Sequence, residues 1–457
     1  MYLGSYGFTI PIETLSAAQQ KKVNKDLSFY PPKSYVGGFV GPPLRCWRTS
    51  STKMYVPRFY GVAAFGDVDS RLPECTPIDV PFAGSVRDAQ RPAIDAFMQS
   101  KHRCGLLELP CGFGKTVIAL HLVSLLKVKT LIIVHKTFLM DQWVERIGEF
   151  LPAARVGRIQ GGTIDIADKD IVIGMLQSLS MKEYSHSTFA GFGLTIVDET
   201  HHIAADVFSG ALFKIVTPHM LGLSATMERK DGRTKVFKLF LGEVLYTAVR
   251  EPAGDLLVHR CAFKSDDSEF NQGSENYAVM IRMLCEFAPR SEFILTILGH
   301  LLQDSRNAQI MVLSQNLSLL DYLHAALGQR SPEATVGYYV GGMKQAALKQ
   351  TEACRIVLGT YAMAEEALDI KTLTTLVLAT PKTDVTQAVG RILRVKHERP
   401  LVVDVLDDHG IFCNQAAKRL AFYRKNGYQI VQSAFGQFPE SEPLVKGARK
   451  RPACMLL

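Results

Sequence analysis

A glycine-rich turn that carries a lysine and a threonine is the part of the sequence best suited to binding phosphate. Residues 109–116 (LPCGFGKT) follow an apolar run and open a helical one. Gly112 and Gly114 let backbone N–H groups approach phosphate oxygens, and the helix start adds its positive end. We therefore expect Lys115 to neutralise the β- and γ-phosphates of a bound nucleotide and the Thr116 hydroxyl to bind Mg²⁺.

An acidic pair after an apolar strand is the second feature that can act on phosphate. Asp198 and Glu199 follow the run 194–197, so they lie at the carboxyl end of a strand, where ligands bind in open α/β sheets. Asp198 can hold Mg²⁺ through water, and Glu199 is placed to orient and deprotonate the water that attacks a γ-phosphate. We expect His201 to sense that phosphate and to couple the site to the next strand.

Three further polar residues take their interpretation from this phosphate site. Ser224 and Thr226 end the following strand, and their hydroxyls can link the His201 region to a second lobe. Alone, such a Ser-Ala-Thr tripeptide is usually a helix cap. Gln90 precedes the phosphate loop, and its amide has the paired donor and acceptor needed to read the N6/N7 edge of adenine. We expect Gln90 to contact adenine.

A second group of residues, towards the C-terminus, stands at helical spacing. Gln387, Gly390, Arg391 and Arg394 lie at i, i+3, i+4 and i+7, so they share one face of a helix. Gly390 allows close backbone approach, and both arginines can reach a γ-phosphate as arginine fingers. Without the phosphate site, the same pattern would indicate a basic, solvated helix face.

The segment 360–370, which follows an apolar strand, adds two expectations. We expect Thr360 to contact a nucleic-acid phosphate and Asp369 to lie near a ribose or near Arg394. Both predictions rest on the order of the motifs along the chain.

Alternating strands and helices indicate two α/β lobes behind a different N-terminal region. Strands of the first lobe are predicted at 105–109, 130–135, 170–174, 194–197 and 220–223. Strands of the second lobe are predicted at 310–314, 355–358, 375–379 and 401–405. This pattern is typical of parallel sheets covered by helices. The region before them is rich in Gly, Pro and aromatic residues and predicts short strands and turns, the stretch 55–61 included.

These patterns divide the chain into four parts. Residues 1–80 form a partly β accessory domain that we expect to contact nucleic acid or a partner, and residues 81–250 form an ATP-binding lobe. Residues 251–440 form a second lobe of similar architecture, with the join near 247–256. Residues 441–457 form a basic, solvated tail.

Composition favours a polyanionic partner. Lysine and arginine total 52 against 44 acidic residues, which gives a net charge of +8. No apolar run approaches the roughly 18 residues that span a bilayer, and the N-terminus lacks a secretory pattern, so we expect an intracellular protein without membrane contact. The nine cysteines contain no CxxC pair, which fits reduced thiols better than disulfides or a metal site.

These motifs, in this order, resemble those of superfamily 2 DExH helicases over residues 82–430. The phosphate loop is similar to that of the XPB subgroup, and residues 221–226 (LGLSAT) resemble its motif III. The phage UvsW helicase belongs nearby. The segments 56–61, 339–342 and 422–428 resemble helicases of large nucleocytoplasmic DNA viruses, among them the poxvirus transcript-release helicase.

The resemblance implies two tandem RecA-like lobes that use ATP and Mg²⁺ and act on nucleic acid. It implies DNA more than RNA as the substrate, with 3′ to 5′ travel. It also implies a viral protein that works in the nucleus or in a cytoplasmic viral factory and is packaged in virions. Its partners would then be transcription or replication machinery, and its task transcript release, repair or recombination.

Three alternatives stay open on the sequence alone. A duplex translocase strips proteins or nascent RNA from DNA without separating strands. An ATP-gated scaffold of a transcription complex uses cleavage to regulate assembly and does not move. The motor lobe of a restriction nuclease is the third, although no additional carboxylate and lysine cluster indicates a nuclease centre.

Overall fold

Two compact units make up the protein, Met1–Arg250 and Glu251–Leu457. We call them the N-terminal and the C-terminal unit. The computed structural model describes residues 1–30, 42–110, 112–185, 187–200, 205–226, 234–248, 256–264, 276–304, 309–366, 370–393 and 397–433. In that part of the chain no helix combines the length and the apolar character needed to cross a membrane.

The N-terminal unit contains a small antiparallel sheet, a two-stranded ribbon and a large sheet. Its strands are β1 Tyr2–Gly4, β2 Gly7–Pro11, β3 Ser28–Phe29, β4 Leu44–Arg45, β5 Arg48–Thr49, β6 Lys53–Val56, β7 Cys104–Glu108, β8 Thr130–Val134, β9 Val156–Gln160, β10 Thr163–Ile164, β11 Ile171–Met175, β12 Leu194–Val197, β13 His219–Ser224 and β14 Val244–Thr247. Its helices are α1 Ala17–Asp26, α2 Arg58–Phe65, α3 Arg91–Gln99, α4 Lys115–Leu126, α5 Thr137–Phe150, α6 Leu176–Met181, α7 Ala205–Leu212 and α8 Thr234–Leu241.

The large sheet brings the predicted phosphate-binding segments to one edge. Its strand order is β10-β9-β11-β8-β12-β13-β7-β14, and every pair except β9 with β10 is parallel. Ser224 is in register with Glu108, and Val197 is in register with Gly222. The strands that precede the phosphate loop and the acidic pair therefore flank β13, and their carboxyl ends lie side by side.

The inner strands of this sheet are buried on both faces. All five residues of Thr130–Val134 and of Ile171–Met175 are buried, as are all four of Leu194–Val197. A parallel sheet covered by helices on both sides calls for continuous apolar runs rather than alternation. This explains why the sequence shows these strands so clearly.

The small sheet, with strand order β1-β2-β6-β5, shares its core with the rest of the unit. Phe8 and Ile10 are fully buried in the same apolar cluster as Leu106 of the large sheet. The sequence prediction of strands and turns over 55–61 was wrong beyond Val56, since α2 begins at Arg58. Pro57 stands directly before the helix, a position where its fixed φ favours helix initiation.

The C-terminal unit holds a seven-stranded sheet in which every pair is parallel, in the order β17-β18-β16-β19-β20-β15-β21. Its strands are β15 Leu257–Phe263, β16 Ile310–Ser314, β17 Val336–Tyr339, β18 Ile356–Thr360, β19 Thr375–Leu378, β20 Leu401–Asp407 and β21 Gln429–Ser433. Its helices are α9 Tyr277–Glu286, α10 Ala288–Gln303, α11 Leu317–Arg330, α12 Gln345–Thr351, α13 Tyr361–Glu366, α14 Thr386–Ile392 and α15 Gly410–Lys425. The two parallel α/β lobes expected from the sequence are confirmed.

Candidate functional site

The phosphate loop joins β7 to α4 through a backbone that only glycine adopts easily. Gly112 and Gly114 have φ angles of 82° and 95°, in the left-handed region. Helix α4 begins at Lys115, so its free N–H groups open towards the loop. A Cβ added at Gly114 would lie 2.2 Å from the Gln90 side-chain nitrogen, so a larger residue has no room. The loop therefore has the geometry of an anion cradle.

The side-chain amide of Gln90 holds this loop by a hydrogen bond to its main chain. Its Nε2 donates to the Phe113 carbonyl at 2.8 Å, and its Oε1 accepts from the Arg87 backbone N–H at 3.0 Å. The Arg87 guanidinium also donates to the carbonyls of Gly112 and Phe113. Gln90 is buried, and both halves of its amide bond to main chain. In this arrangement the residue positions the loop, and its contact with adenine stays a prediction.

Lys115 and Glu199 form an ion pair at the edge of the sheet. Lys115 Nζ lies 2.5 Å from Glu199 Oε1, and the two side chains keep 12% and 20% of their surface exposed. Glu199 has a φ angle of 47°, which is unusual for a residue with a side chain. Such backbone conformations cluster at functional sites, where the surrounding structure holds them. The structure thus brings together the predicted phosphate ligand and the predicted base.

Asp198 is more deeply buried than its neighbour and is held on both oxygens. Trp143 Nε1 donates to Oδ2 at 2.9 Å, and the Glu199 backbone N–H donates to Oδ1 at 2.9 Å. Burial and the adjacent Glu199 charge raise the pKa of Asp198 to about 6, against the opposing effects of Lys115 and Trp143. The Trp143 contact could not be predicted from the sequence, because the tryptophan lies 55 positions away on α5.

The end of β13 connects the phosphate loop with the acidic pair. The Leu109 backbone N–H donates to the Ser224 carbonyl at 2.8 Å. Thr200 Oγ1 donates to the Leu223 carbonyl at 3.5 Å, a link that sequence reasoning missed. Ser224 Oγ, fully buried, donates to the Thr226 carbonyl at 2.5 Å. These hydrogen bonds join the segments that follow β7 and β12 to the end of β13.

In the C-terminal unit, α14 carries three of the four residues predicted to share a helix face, Gln387, Gly390 and Arg391. Gln387 is partly buried, and Arg391 is buried with 8% of its surface exposed. The helix ends at Ile392, so its described length covers the first three members of the predicted face. Thr360 ends β18 and is partly buried. The structure places Thr360 at the same carboxyl edge of the parallel sheet from which the connector to α14 departs.

Two buried arginines hold the connector 379–385 that joins β19 to α14. Arg290 donates to both oxygens of Asp407, at 2.5 and 2.8 Å, and to the Ala379 carbonyl at 2.8 Å. Arg419 pairs with Asp404 at 2.8 Å and donates to the Lys382 carbonyl at 2.7 Å. These side chains are at most 2% exposed. Sequence reasoning missed both pairs, since their members are separated by more than a hundred positions in one case and by fifteen in the other.

Three predicted site residues, His201, Asp369 and Arg394, lie outside the described residues. Of the remaining predicted residues of the N-terminal unit, Gln90 lies directly before α3 and contacts the phosphate loop, and the others lie on that loop and the first turn of α4, in the acidic pair and at the end of β13. Trp143, Thr200 and Arg87 are additions from the structure. No group of three or more His, Cys, Asp or Glu side chains able to hold a metal occurs within the described ranges.

Comparisons with known proteins show which proteins this chain is similar to. Residues 84–229 match the family described as "Type III restriction enzyme, res subunit". The chain is 32% identical over 447 residues to "Putative ATP-dependent RNA helicase L396" of Acanthamoeba polyphaga mimivirus, which covers 93% of this chain and 85% of the relative. It is 33% identical over 205 residues to "DNA 3'-5' translocase XPB2" of Sulfurisphaera tokodaii, covering 44% of this chain and 45% of that protein.

Among solved structures, "S. cerevisiae Dbp5 bound to RNA and ADP BeF3" aligns with 76% of this chain and 89% of its own length. The TM-score is 0.54 at 13% sequence identity, so the likeness shows the fold. Two tandem RecA-like lobes, a phosphate loop paired with an acidic strand end, and a viral helicase relative along nearly the whole chain lead to one assignment. The chain belongs to the ATP-dependent helicases of superfamily 2.

Proposed function

We propose that this helicase cleaves ATP with Glu199 as the base that activates water and Lys115 as the ligand of the β- and γ-phosphates. The Lys115–Glu199 ion pair beside Asp198 is the observation that carries this proposal. When Lys115 moves onto phosphate, its ion pair with Glu199 breaks, and the Glu199 carboxylate becomes a stronger acceptor for a water proton. The move of Lys115 from Glu199 to phosphate thereby couples nucleotide binding to activation of the base.

The residues present also suit Mg²⁺. Thr116 lies in the first turn of α4, and Asp198 supplies a carboxylate at the neighbouring strand end. Hydroxyl and carboxylate oxygens are ligands that Mg²⁺ accepts, and it completes its shell with phosphate oxygens and water. When bound there, the ion would neutralise charge on the phosphates. The hydrogen bond from Trp143 orients one Asp198 oxygen and so holds the carboxylate in position to bind Mg²⁺.

The other residues take supporting roles in this proposal. Arg391 and Arg394 stabilise charge on the transferred phosphoryl group as fingers. Gly112, Gly114, Gln90 and Asp369 hold the nucleotide. His201, Ser224, Thr226 and Gln387 couple its state to the rest of the motor, and Thr360 contacts a phosphate of the nucleic-acid strand. The hydrogen bonds at the end of β13 support the coupling role of Ser224 and Thr226.

The proposed substrate is DNA, along which the protein travels 3′ to 5′. The archaeal relative named as a DNA 3′-5′ translocase favours this direction and substrate. The mimivirus relative named as an RNA helicase favours RNA as the second candidate. Strand contacts would run mainly through phosphates, which carry no sequence information. Differential affinity for the strand before and after hydrolysis would turn each cleavage into a step.

We propose that each part of the chain has the role expected from its sequence. Residues 1–80 act as an accessory domain for nucleic acid or a partner, and residues 81–250 bind ATP. Residues 251–440 form the second lobe, and residues 441–457 form a basic tail. The relative from mimivirus supports a viral setting, with transcript release, repair or recombination in the nucleus or a viral factory as the task, and with transcription or replication machinery as partners.

One experiment separates the candidates. ATPase rates are measured with single-stranded DNA, duplex DNA and RNA, next to displacement of a fluorescent strand from 3′- and 5′-tailed duplexes. We expect the strongest stimulation by DNA and displacement from the 3′-tailed duplex. If RNA alone stimulates the ATPase, RNA and not DNA is the substrate. If duplex DNA stimulates the ATPase without displacement of the fluorescent strand, the protein is a duplex translocase.

A further inference from the structure

A cavity of 510 Å³ lies in the N-terminal unit, at the opposite end of the strands from the phosphate loop. Arg103 directly precedes β7, and His219 is the first residue of β13, so the cavity opens at the amino ends of these strands. A five-residue strand spans about 17 Å, which separates the cavity from the phosphate loop. Nothing in the proposed ATP chemistry uses it.

Arg58 of α2 is buried in the wall of this cavity with part of its hydrogen-bonding capacity unused. It is 9% exposed, and its Nη1 donates to the Pro218 carbonyl at 2.9 Å and contacts Cys104 Sγ at 3.3 Å. Its Nε and Nη2 make no hydrogen bond to any residue of the described chain. A guanidinium presents five N–H donors, so the Nε and Nη2 donors of Arg58 stay available to a ligand in the cavity that this residue lines.

Arg103 faces the same cavity from the strand end. Its φ angle is 48°, a left-handed conformation that an arginine seldom adopts. Its side chain forms no hydrogen bond or ion pair within the described ranges. Unusual backbone geometry at a charged residue is a feature of ligand clamps. Two guanidiniums with available donors therefore line one cavity.

Asp67, the acidic residue in the cavity wall, does not neutralise the charges of Arg58 and Arg103, because it already pairs with other residues. Asp67 pairs with Lys101 and lies 3.3 Å from His102 Nε2. Burial lowers the pKa of His219, and the charges of Arg103 and Arg58 lower it further, against the hydrogen bond with the His102 carbonyl. The cavity thus has an excess of positive charge that a bound anion would offset.

We propose that this cavity binds a phosphate group between the guanidiniums of Arg58 and Arg103. Arginine forks match phosphate oxygens in geometry, and a phosphate group offers two guanidiniums more negative charge and more acceptor oxygens than a carboxylate does. The phosphate comes either from a nucleic-acid backbone or from a small phosphorylated compound. The site is separate from the ATP site and does not depend on the function proposed above.

The test uses the full chain with its ATP site saturated by Mg²⁺ and a non-hydrolysable ATP analogue. Inorganic phosphate is titrated while NMR follows the histidine side chains, His219 among them, and a 12-nucleotide single strand is titrated by fluorescence anisotropy. Arg103→Gln is the variant, since Arg103 is exposed and holds no other residue. Arg330→Gln, in the C-terminal unit, removes an exposed arginine charge and is the matched control.

We expect phosphate to shift the His219 signals and Arg103→Gln to weaken phosphate binding by about tenfold or more, as loss of a charge-assisted hydrogen bond predicts. The control should bind phosphate as the original chain does. If Arg103→Gln also weakens binding of the oligonucleotide, the phosphate that the cavity binds belongs to nucleic acid. If binding of the oligonucleotide is unchanged, a small phosphorylated compound is the ligand. Equal phosphate binding by the variant and the control, or no shift at His219, would overturn the proposal.

Discussion

The two units use ion pairs in different ways. In the N-terminal unit, Lys115 and Glu199 pair at the sheet edge and keep part of their surface open. In the C-terminal unit, Arg290 and Asp407 are completely buried, and the arginine also holds a main-chain carbonyl. A pair that must exchange partners during a reaction needs access to ligand. A pair that holds a connector in place is most effective where water cannot compete.

The largest expected effect comes from breaking the buried pair. Arg290→Ala leaves Asp407 charged and uncompensated, so we expect it to destabilise the C-terminal unit by about 3–5 kcal/mol. Hydrogen exchange of peptides from β20, measured by mass spectrometry, reports this unit directly. Arg330→Ala, which breaks an exposed pair with Glu292, is the control and should change exchange little. Equal effects of the two variants would refute the contrast between buried and exposed pairs.

The second effect concerns the partly exposed pair. Lys115→Ala removes the proposed phosphate ligand, so we expect nucleic-acid-stimulated ATPase to fall by at least about a hundredfold. Lys127→Ala is a matched control, because Lys127 directly follows the same helix and pairs with Asp79 at the surface. ATP turnover by Lys115→Ala at the rate of the control would remove Lys115 from the site.

The third prediction separates ATP binding from ATP hydrolysis. Glu199→Gln keeps the phosphate loop and Asp198 but cannot accept the water proton, so ATPase should again fall by at least about a hundredfold. ATP binding, followed with a fluorescent analogue, should persist and trap the protein on nucleic acid. If this variant no longer bound ATP, Glu199 would have to be a binding residue instead.

The smallest effect is a change in pH dependence at Asp198. The raised pKa of about 6 means that the carboxylate needed for Mg²⁺ is lost as pH falls through that value. We therefore expect kcat/KM for Mg-ATP to decline below about pH 6. Trp143→Phe removes the hydrogen bond that favours the carboxylate, so the decline should move to higher pH.

Trp47→Phe is the control for this profile, since Trp47 lies in the small β-rich part of the same unit. An unchanged profile in Trp143→Phe would show that another group limits activity in acid.

The central strands could be predicted from the sequence, whereas most edge strands could not. Runs such as Ile310–Ser314 are buried throughout and almost wholly apolar because both faces are covered, and the prediction matched both ends of this strand. The edge strands Val336–Tyr339 and Gln429–Ser433 are partly exposed and lack a continuous apolar run. Leu257–Phe263 was missed for another reason, since buried His259 and Arg260 interrupt its apolar pattern.

The order of residue types along the chain determined the candidate chemistry of this protein. A glycine-rich turn before a helix and an acidic pair after a strand are local patterns, so Lys115, Thr116, Asp198 and Glu199 could be proposed without a fold. Local patterns are sufficient here because strand ends in a parallel sheet necessarily meet at one edge.

Only the tertiary structure decided which partners hold these groups. Trp143 on Asp198, Gln90 under the phosphate loop and Arg290 beneath the connector all act across long stretches of chain. Their side chains, read alone, look like ordinary core or surface residues. Hydrogen bonds and ion pairs act over a few ångströms in space, whatever the separation in sequence, so these contacts became visible only when the sheets were assembled.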